Sequence, residues 1–400
     1  MQFIEGGICA AQGFKAGAAM AGIKYADKYD VAVIASEFEA SIAGVFTTNL
    51  VQAAPVLYSK EVTARGKARA IVVNSGNANA CTGEQGMTDC RDMAKVTGKL
   101  LGVDAATVAV ASTGVIGVPL PMAKVAAGVT AAAADLVAGN GHLAATAIMT
   151  TDTVAKEVAV EFFLQGTPVR LGGMAKGSGM IHPNMATMLG FVTTDAVIDA
   201  ELLQLSLQEA AATTFNMITV DGDTSTNDML LVMANGQAGN DPILPGGIEL
   251  AQFQAALKEV CLELAKMIAR DGEGATKFLE ITVSGAKSLE DARKAAKAIA
   301  GSNLVKAAFY GEDANWGRII CALGYSQAHF DPQLVDIYLG GLQVAKAGAG
   351  IAFSEAEAKL ILQLRDIQVN IELHQGDCRA TAWGCDLSHE YVTINGSYRT

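Results

Sequence analysis

Short apolar runs of strand length alternate with longer amphipathic stretches along almost the whole chain. That alternation confines the fold to sheets covered by helices. Strand character appears at 30–36, 43–48, 68–76, 107–114, 155–164 and 168–177, and helical character at 84–101, 119–138, 199–215, 249–269, 288–300 and 354–365. Asp199, Ser288 and Ser354 stand where N-caps belong, each offering an oxygen to the first unpaired backbone N–H groups, and Thr88 or Glu84 marks the first helix. Beyond 365 the pattern returns to strands in "DIQVNIELHQG", "RATAWGC" and "EYVTING". The expected class is a mixed α/β (α+β) fold without internal repeats. "NGQAGNDPILPGG" (235–247), the strongest loop, is the place for a boundary.

Composition narrows the function. The 400 residues are 51% hydrophobic and only 18% charged, ample for a large core. A net charge of −12 weighs against nucleic acid and anionic membranes, both of which need clustered Lys and Arg. No apolar run reaches the roughly 18 residues needed to cross a bilayer, and the start lacks the pattern of a signal peptide. Seven scattered cysteines without a CxxC read as free thiols in a reducing cytoplasm. Five histidines show no HExxH or HxH spacing, and there is no GxSxG, GxGxxG or GxxxxGK[ST]. No metal or nucleotide site is expected, and nothing points to a Ser–His–Asp triad.

What remains is a set of polar, Gly-rich islands: "NSGNANACTG" (74–83), "ASTGVIG" (111–117), "MTTDT" (149–153), "KGSGMIHPNMAT" (176–187), "DGDTSTND" (221–228), "RDGEGATKF" (270–278), "GEDANWGR" (311–318) and "NGSYRT" (395–400). Each alone is an ordinary loop. Together, in an apolar chain, they read as pieces of one site, because loops on a rigid scaffold are where chemistry concentrates.

Within the fourth island, Ala186–Thr187 invites a specific chemistry. A Thr hydroxyl is a weak nucleophile unless a base takes its proton. If Thr187 were an N-terminus, its own α-amine, with a reference pKa of about 7.7–8.0, could be that base without any His. Becoming N-terminal requires the hydroxyl first to attack the Ala186 carbonyl. A constrained loop, a small preceding residue and oxyanion donors suit that step. On "NMATMLGF" alone, a loop meeting a strand is the simpler account.

"KGSGMIHPNMATMLGF", "ASTGVIG", "MTTDT", "RDGEGATK" and the terminal "NGSYRT" closely resemble the ornithine acetyltransferase family, the bifunctional arginine biosynthesis proteins. The likeness runs from "GICAAQGFKAGA" to Thr400. It implies a layered α/β/β/α sandwich similar to N-terminal nucleophile folds, formed jointly by two self-cleaved chains, 1–186 and 187–400, assembled as α2β2. It implies acetyl transfer from N2-acetyl-L-ornithine to L-glutamate through an acetyl-Thr187 intermediate, with no cofactor and with acetyl-CoA a second donor in some members. Carried over, Thr187 is the nucleophile, Thr113 and Gly114 form the oxyanion hole, and Thr150, Lys176, Thr187, Glu273, Asn395 and Thr400 bind substrate. The alternative on the same nucleophile is an N-terminal-Thr amidohydrolase or aminopeptidase, which differs in letting water resolve the acyl-enzyme.

Overall fold

The computed structural model describes residues 1–182 and 188–397. Ala186, Thr187 and Thr400 therefore lie outside the described residues. Sixteen strands are described: β1 (Gln2–Ile4), β2 (Phe14–Ala19), β3 (Val31–Phe46), β4 (Lys67–Asn74), β5 (Val108–Ser112), β6 (Lys156–Leu164), β7 (Thr167–Lys176), β8 (Leu189–Thr194), β9 (Ile218–Thr219), β10 (Met229–Ala234), β11 (Phe278–Ala286), β12 (Asp336–Leu339), β13 (Leu342–Lys346), β14 (Ala349–Gly350), β15 (Asp366–Glu372) and β16 (Cys378–Cys385). They form two sheets covered by helices, the layered α/β architecture expected.

The larger sheet runs β1-β6-β7-β8-β10-β3-β4-β5, with β2 paired to β3. The smaller runs β14-β13-β12-β15-β11-β16-β9. In the larger sheet, β8 and β10 follow position 187 in sequence and lie side by side between β7 and β3, which precede it. The 1–186 and 187–400 segments thus share one sheet and are not separate domains.

β8 and β10 are parallel, from Met229 opposite Leu189 to Ala234 opposite Thr194, and all their residues are buried. The apolar run of β10, and of β8 as far as Val192, reflects burial on both faces. Met229, Leu231 and Met233 face one core; Leu230, Val232 and Ala234 face the other. The second core contains Phe253, Leu257 and Leu264 from helix Ile248–Arg270, which packs against β6, β7 and β16 and so touches both sheets.

The expected caps at Asp199, Ser288 and Ser354 accept from the N–H groups of Leu202 (2.8 Å), Asp291 (3.0 Å) and Glu357 (3.2 Å). Four expectations need correcting. The helix expected at 84–101 is Gly83–Leu101, so neither Thr88 nor Glu84 precedes it, and helix Ala54–Ala64 comes before it in the chain. Strands expected at 30–36 and 43–48 are one strand, β3, with a register shift between Ala35 and Ala40. Loop 235–247 divides no domains, because Val232, Ile243 and Phe253 on and around it share one core. "EYVTING" is not a strand but part of helix His389–Ser397. Its β-branched residues suggested a strand, but the Ser388 hydroxyl accepts from the Tyr391 N–H (3.3 Å) and starts a helical turn.

Candidate active site

One cavity of about 270 Å³ gathers the described candidates: Thr113, Gly114, Thr150, Lys176, Glu273 and Asn395 all line it. Met188 lines it too, and is the residue that follows Thr187 in sequence. Seven of the eight polar islands contribute to its wall. "GEDANWGR" does not: there Asn315 accepts from the Arg318 N–H (3.1 Å) and starts helix Trp316–Gly324.

β5 delivers the first pair. It ends at Ser112, and Thr113 and Gly114 follow in a tight turn. Gly114 has φ +133°, and a Cβ there would lie 2.3 Å from the Gly76 carbonyl carbon. Close backbone approach and a conformation that side chains rarely adopt both demand glycine. Among the described residues no acceptor takes the Gly114 N–H, and the Thr113 hydroxyl meets only the Lys176 ammonium, at 3.5 Å. A hydroxyl and a free N–H therefore stand together on the cavity wall, as oxyanion stabilisation requires. Asn227 fixes this turn against the start of β10 by donating to the carbonyls of Ala78 (2.5 Å) and Ser112 (2.8 Å).

Lys176, the last residue of β7, donates to the Thr150 hydroxyl at 2.8 Å and stands 3.9 Å from Asp152. Burial lowers the pKa of its ammonium, and Asp152 opposes that shift. Glu273 accepts from the Asn395 amide at 2.7 Å. Gly179 makes room for it, since a Cβ at 179 would fall 2.4 Å from the Glu273 carboxylate. The cavity thus carries a cationic group, a carboxylate with an amide beside it, and several hydroxyls, the complement of a small zwitterion.

Beneath these groups lies a brace that motif reasoning misses. Lys156 is fully buried and donates to Asp152 (2.7 Å) and Asp271 (2.6 Å). Asp152 also accepts from the backbone N–H groups of Thr150 (3.0 Å) and Gly177 (2.7 Å). Burial alone would raise the Asp152 carboxyl, but Lys176, Lys156 and these bonds outweigh it and hold it at about 2. Asp271 takes the Thr153 N–H (3.0 Å) and hydroxyl, and its carbonyl accepts from Ser178 (2.6 Å). One buried ammonium so ties the segments carrying Thr150, Lys176 and Glu273. The signal was present: in "AKEVAVEFFL" a period of two places Lys156 on the face of Val158, Val160 and Phe162, which pack in the core.

Asp221 makes a second tie. Its carboxylate accepts from the N–H groups of Met180 (2.6 Å) and Ile181 (2.9 Å) and from the Tyr391 hydroxyl (3.3 Å). The 180–181 loop is thereby held to the helix that carries Asn395. Among the described residues no group of three His, Cys, Asp or Glu could hold a metal ion, and no helix is long and apolar enough to cross a membrane.

The sequence profile of the ArgJ family matches residues 15–400. The chain is 58% identical over 402 residues to the arginine biosynthesis bifunctional protein ArgJ of Symbiobacterium thermophilum, covering all of both chains. It is 52% identical over 404 residues to the protein of that name from Caldanaerobacter subterraneus subsp. tengcongensis, again covering all of both. A crystal structure of the arginine biosynthesis bifunctional protein of Bacillus halodurans matches at 50% identity with a TM-score of 0.51, where 52% of this chain covers 98% of that one.

Proposed function

This chain belongs to the ArgJ family, and from that premise we propose that it is a glutamate N-acetyltransferase of arginine biosynthesis, moving acetyl from N2-acetyl-L-ornithine to L-glutamate. We extend to it acetyl-CoA as a second donor, in keeping with relatives named bifunctional. Self-cleavage at Ala186–Thr187 belongs to the same proposal. The half-length match to the Bacillus halodurans chain supports it, because about half is the share either fragment would represent. An α2β2 assembly and a cytoplasmic location complete the reading; free Cys81 and Cys321, both exposed, fit a reducing compartment.

The observation that carries the proposal is convergence: Thr113, Gly114, Thr150, Lys176, Glu273 and Asn395, scattered from 113 to 395, line one cavity with Met188. In the proposed reaction the Thr187 hydroxyl attacks the acetyl carbonyl and its α-amine takes the proton. The Thr113 hydroxyl and Gly114 N–H stabilise the oxyanion, a contribution of about 3 kcal/mol per donor in comparable sites. Ornithine leaves, glutamate enters, and its amine removes acetyl from the Thr187 ester.

Lys176 is the partner for a substrate carboxylate. Glu273 and Asn395 address a harder requirement, since ornithine ends in a cation and glutamate in an anion. Their 2.7 Å pair offers both signs of partner: the carboxylate accepts from an ammonium, and the amide can turn to donate to a carboxylate. Thr400 at the chain end is the further substrate contact in this reading.

Denaturing electrophoresis with intact mass tests the nucleophile. Wild type should give fragments 1–186 and 187–400, and Thr187→Ala a single inactive chain. An intact yet active wild type overturns the proposal. Incubation with acetylornithine should yield acetylglutamate when glutamate is present. Steady acetate release without glutamate would instead mark an amidohydrolase.

A further inference from the structure

The cavity holds a buried carboxyl that the proposed mechanism does not use. Asp228 precedes β10, and the pairing that sets Met229 opposite Leu189 sets Asp228 level with Met188, the residue after Thr187. The Met229 N–H reaches the Met188 carbonyl at 3.0 Å, so the two segments stay together to that point. The Asp228 carbonyl is held by the Thr47 N–H at 3.0 Å. Its side chain lines the cavity and is only 2% exposed. Oδ2 is buried with no hydrogen-bond partner among the described residues. A native structure rarely leaves such an atom unpaired without a use for it.

Its chemistry contrasts with that of Asp152, close by on Lys176. Asp152 is surrounded by donors and stays ionised. Burial raises the Asp228 carboxyl well above the ordinary range, against Ser225 and the one acting charge, Lys176. Two buried carboxyls near one ammonium are thus driven apart: one is held as an anion, the other is pushed toward the protonated form in which it could donate. Acetyl transfer between amines needs such a group. A departing amine must gain a proton as its C–N bond breaks, and an entering amine must lose one as its C–N bond forms.

We infer that Asp228 is the acid–base group for the two amines, an inference that rests on the acetyl-transfer reading. In the first half the Thr187 Oγ–C bond forms and the α-amine takes the hydroxyl proton. The C–N bond to ornithine then breaks, its nitrogen takes the Asp228 proton, and Asp228 is left as carboxylate. In the second half the glutamate nitrogen bonds to the acetyl carbon and its proton passes to Asp228. The Thr187 oxygen leaves and recovers its proton from the α-ammonium, so both groups return to their starting states.

The test is Asp228→Asn, which keeps the shape and removes the titrating proton. Both half-reactions should slow by about 100-fold in kcat, with KM nearly unchanged. Wild-type kcat should fall as rising pH takes the proton from Asp228, and that alkaline limb should be missing in the variant. A variant with kcat within a few-fold of wild type, or with that alkaline limb intact, overturns the inference. Should the amide variant not fold, Asp228→Glu keeps the acid in a new position: a displaced alkaline limb supports the role and an undisplaced one refutes it. Wild type that transfers no acetyl would remove the underlying reading, whereas active wild type beside an unaffected variant removes only the role of Asp228.

Discussion

Replacing Lys156 with Met removes the ammonium that braces the cavity while nearly keeping its volume. Two buried carboxylates, Asp152 and Asp271, then lose bonds of 2.7 and 2.6 Å. Breaking one side of a buried ion pair costs about 3–5 kcal/mol. Asp152 retains two backbone N–H donors and Lys176 at 3.9 Å, so about 3 kcal/mol is expected at neutral pH. The pH dependence sharpens the test. In wild type Asp152 sits at about 2, below its ordinary 3.8, so its contribution is full above 3.8 and is lost as pH falls through 2. In Lys156→Met the carboxyl loses a main lowering influence, and protonation relieves the buried charge at higher pH than in wild type. The gap between the two proteins should therefore narrow from pH 7 to pH 4. Urea midpoints at both pH values measure it. A loss under about 1 kcal/mol, or a gap equal at both pH values, would refute the brace. Steady-state kinetics at pH 7 should show a parallel loss of up to about 100-fold in kcat/KM, from displaced Thr150, Lys176 and Glu273.

Other expectations concern the cavity wall. Gly114→Ala forces a Cβ within 2.3 Å of the Gly76 carbonyl carbon, so it should displace the oxyanion donor and cut kcat by about 100-fold or more; unchanged kinetics would remove Gly114 from that role. Glu273→Gln should weaken kcat/KM with acetylornithine more than with glutamate, and equal losses would count against charge-selective contact.

The alternation of runs made the two-sheet fold legible, and the clustering of Asn, Thr, Gly and Asp marked most of the cavity wall before any geometry. Three things resisted. "EYVTING" has strand propensity, yet local capping by Ser388, which also donates to the Gly274 carbonyl at 2.6 Å, commits it to a helix beside Glu273. Propensity yields when a tertiary contact fixes the first turn. The Lys156–Asp152–Asp271 brace spans more than a hundred residues, and no spacing rule joins 152 to 271. Asp228 lay within an identified island, but only strand register shows that its side chain shares a wall with Met188.

The interleaving of the larger sheet governs when a cut could be made. β8 and β10 belong after position 187, and their outer neighbours β7 and β3 belong before it. A fragment ending at 186 and made on its own would carry a gap two strands wide, with two unpaired edges facing it, a template for aggregation. The nascent polypeptide must therefore close the sheet while still one chain. Any scission at 186–187 belongs after that, as a maturation step on a finished scaffold. Separately translated halves should need coexpression, or a chaperone, to give a functional particle, and once interlocked they should part only when the whole sheet unfolds.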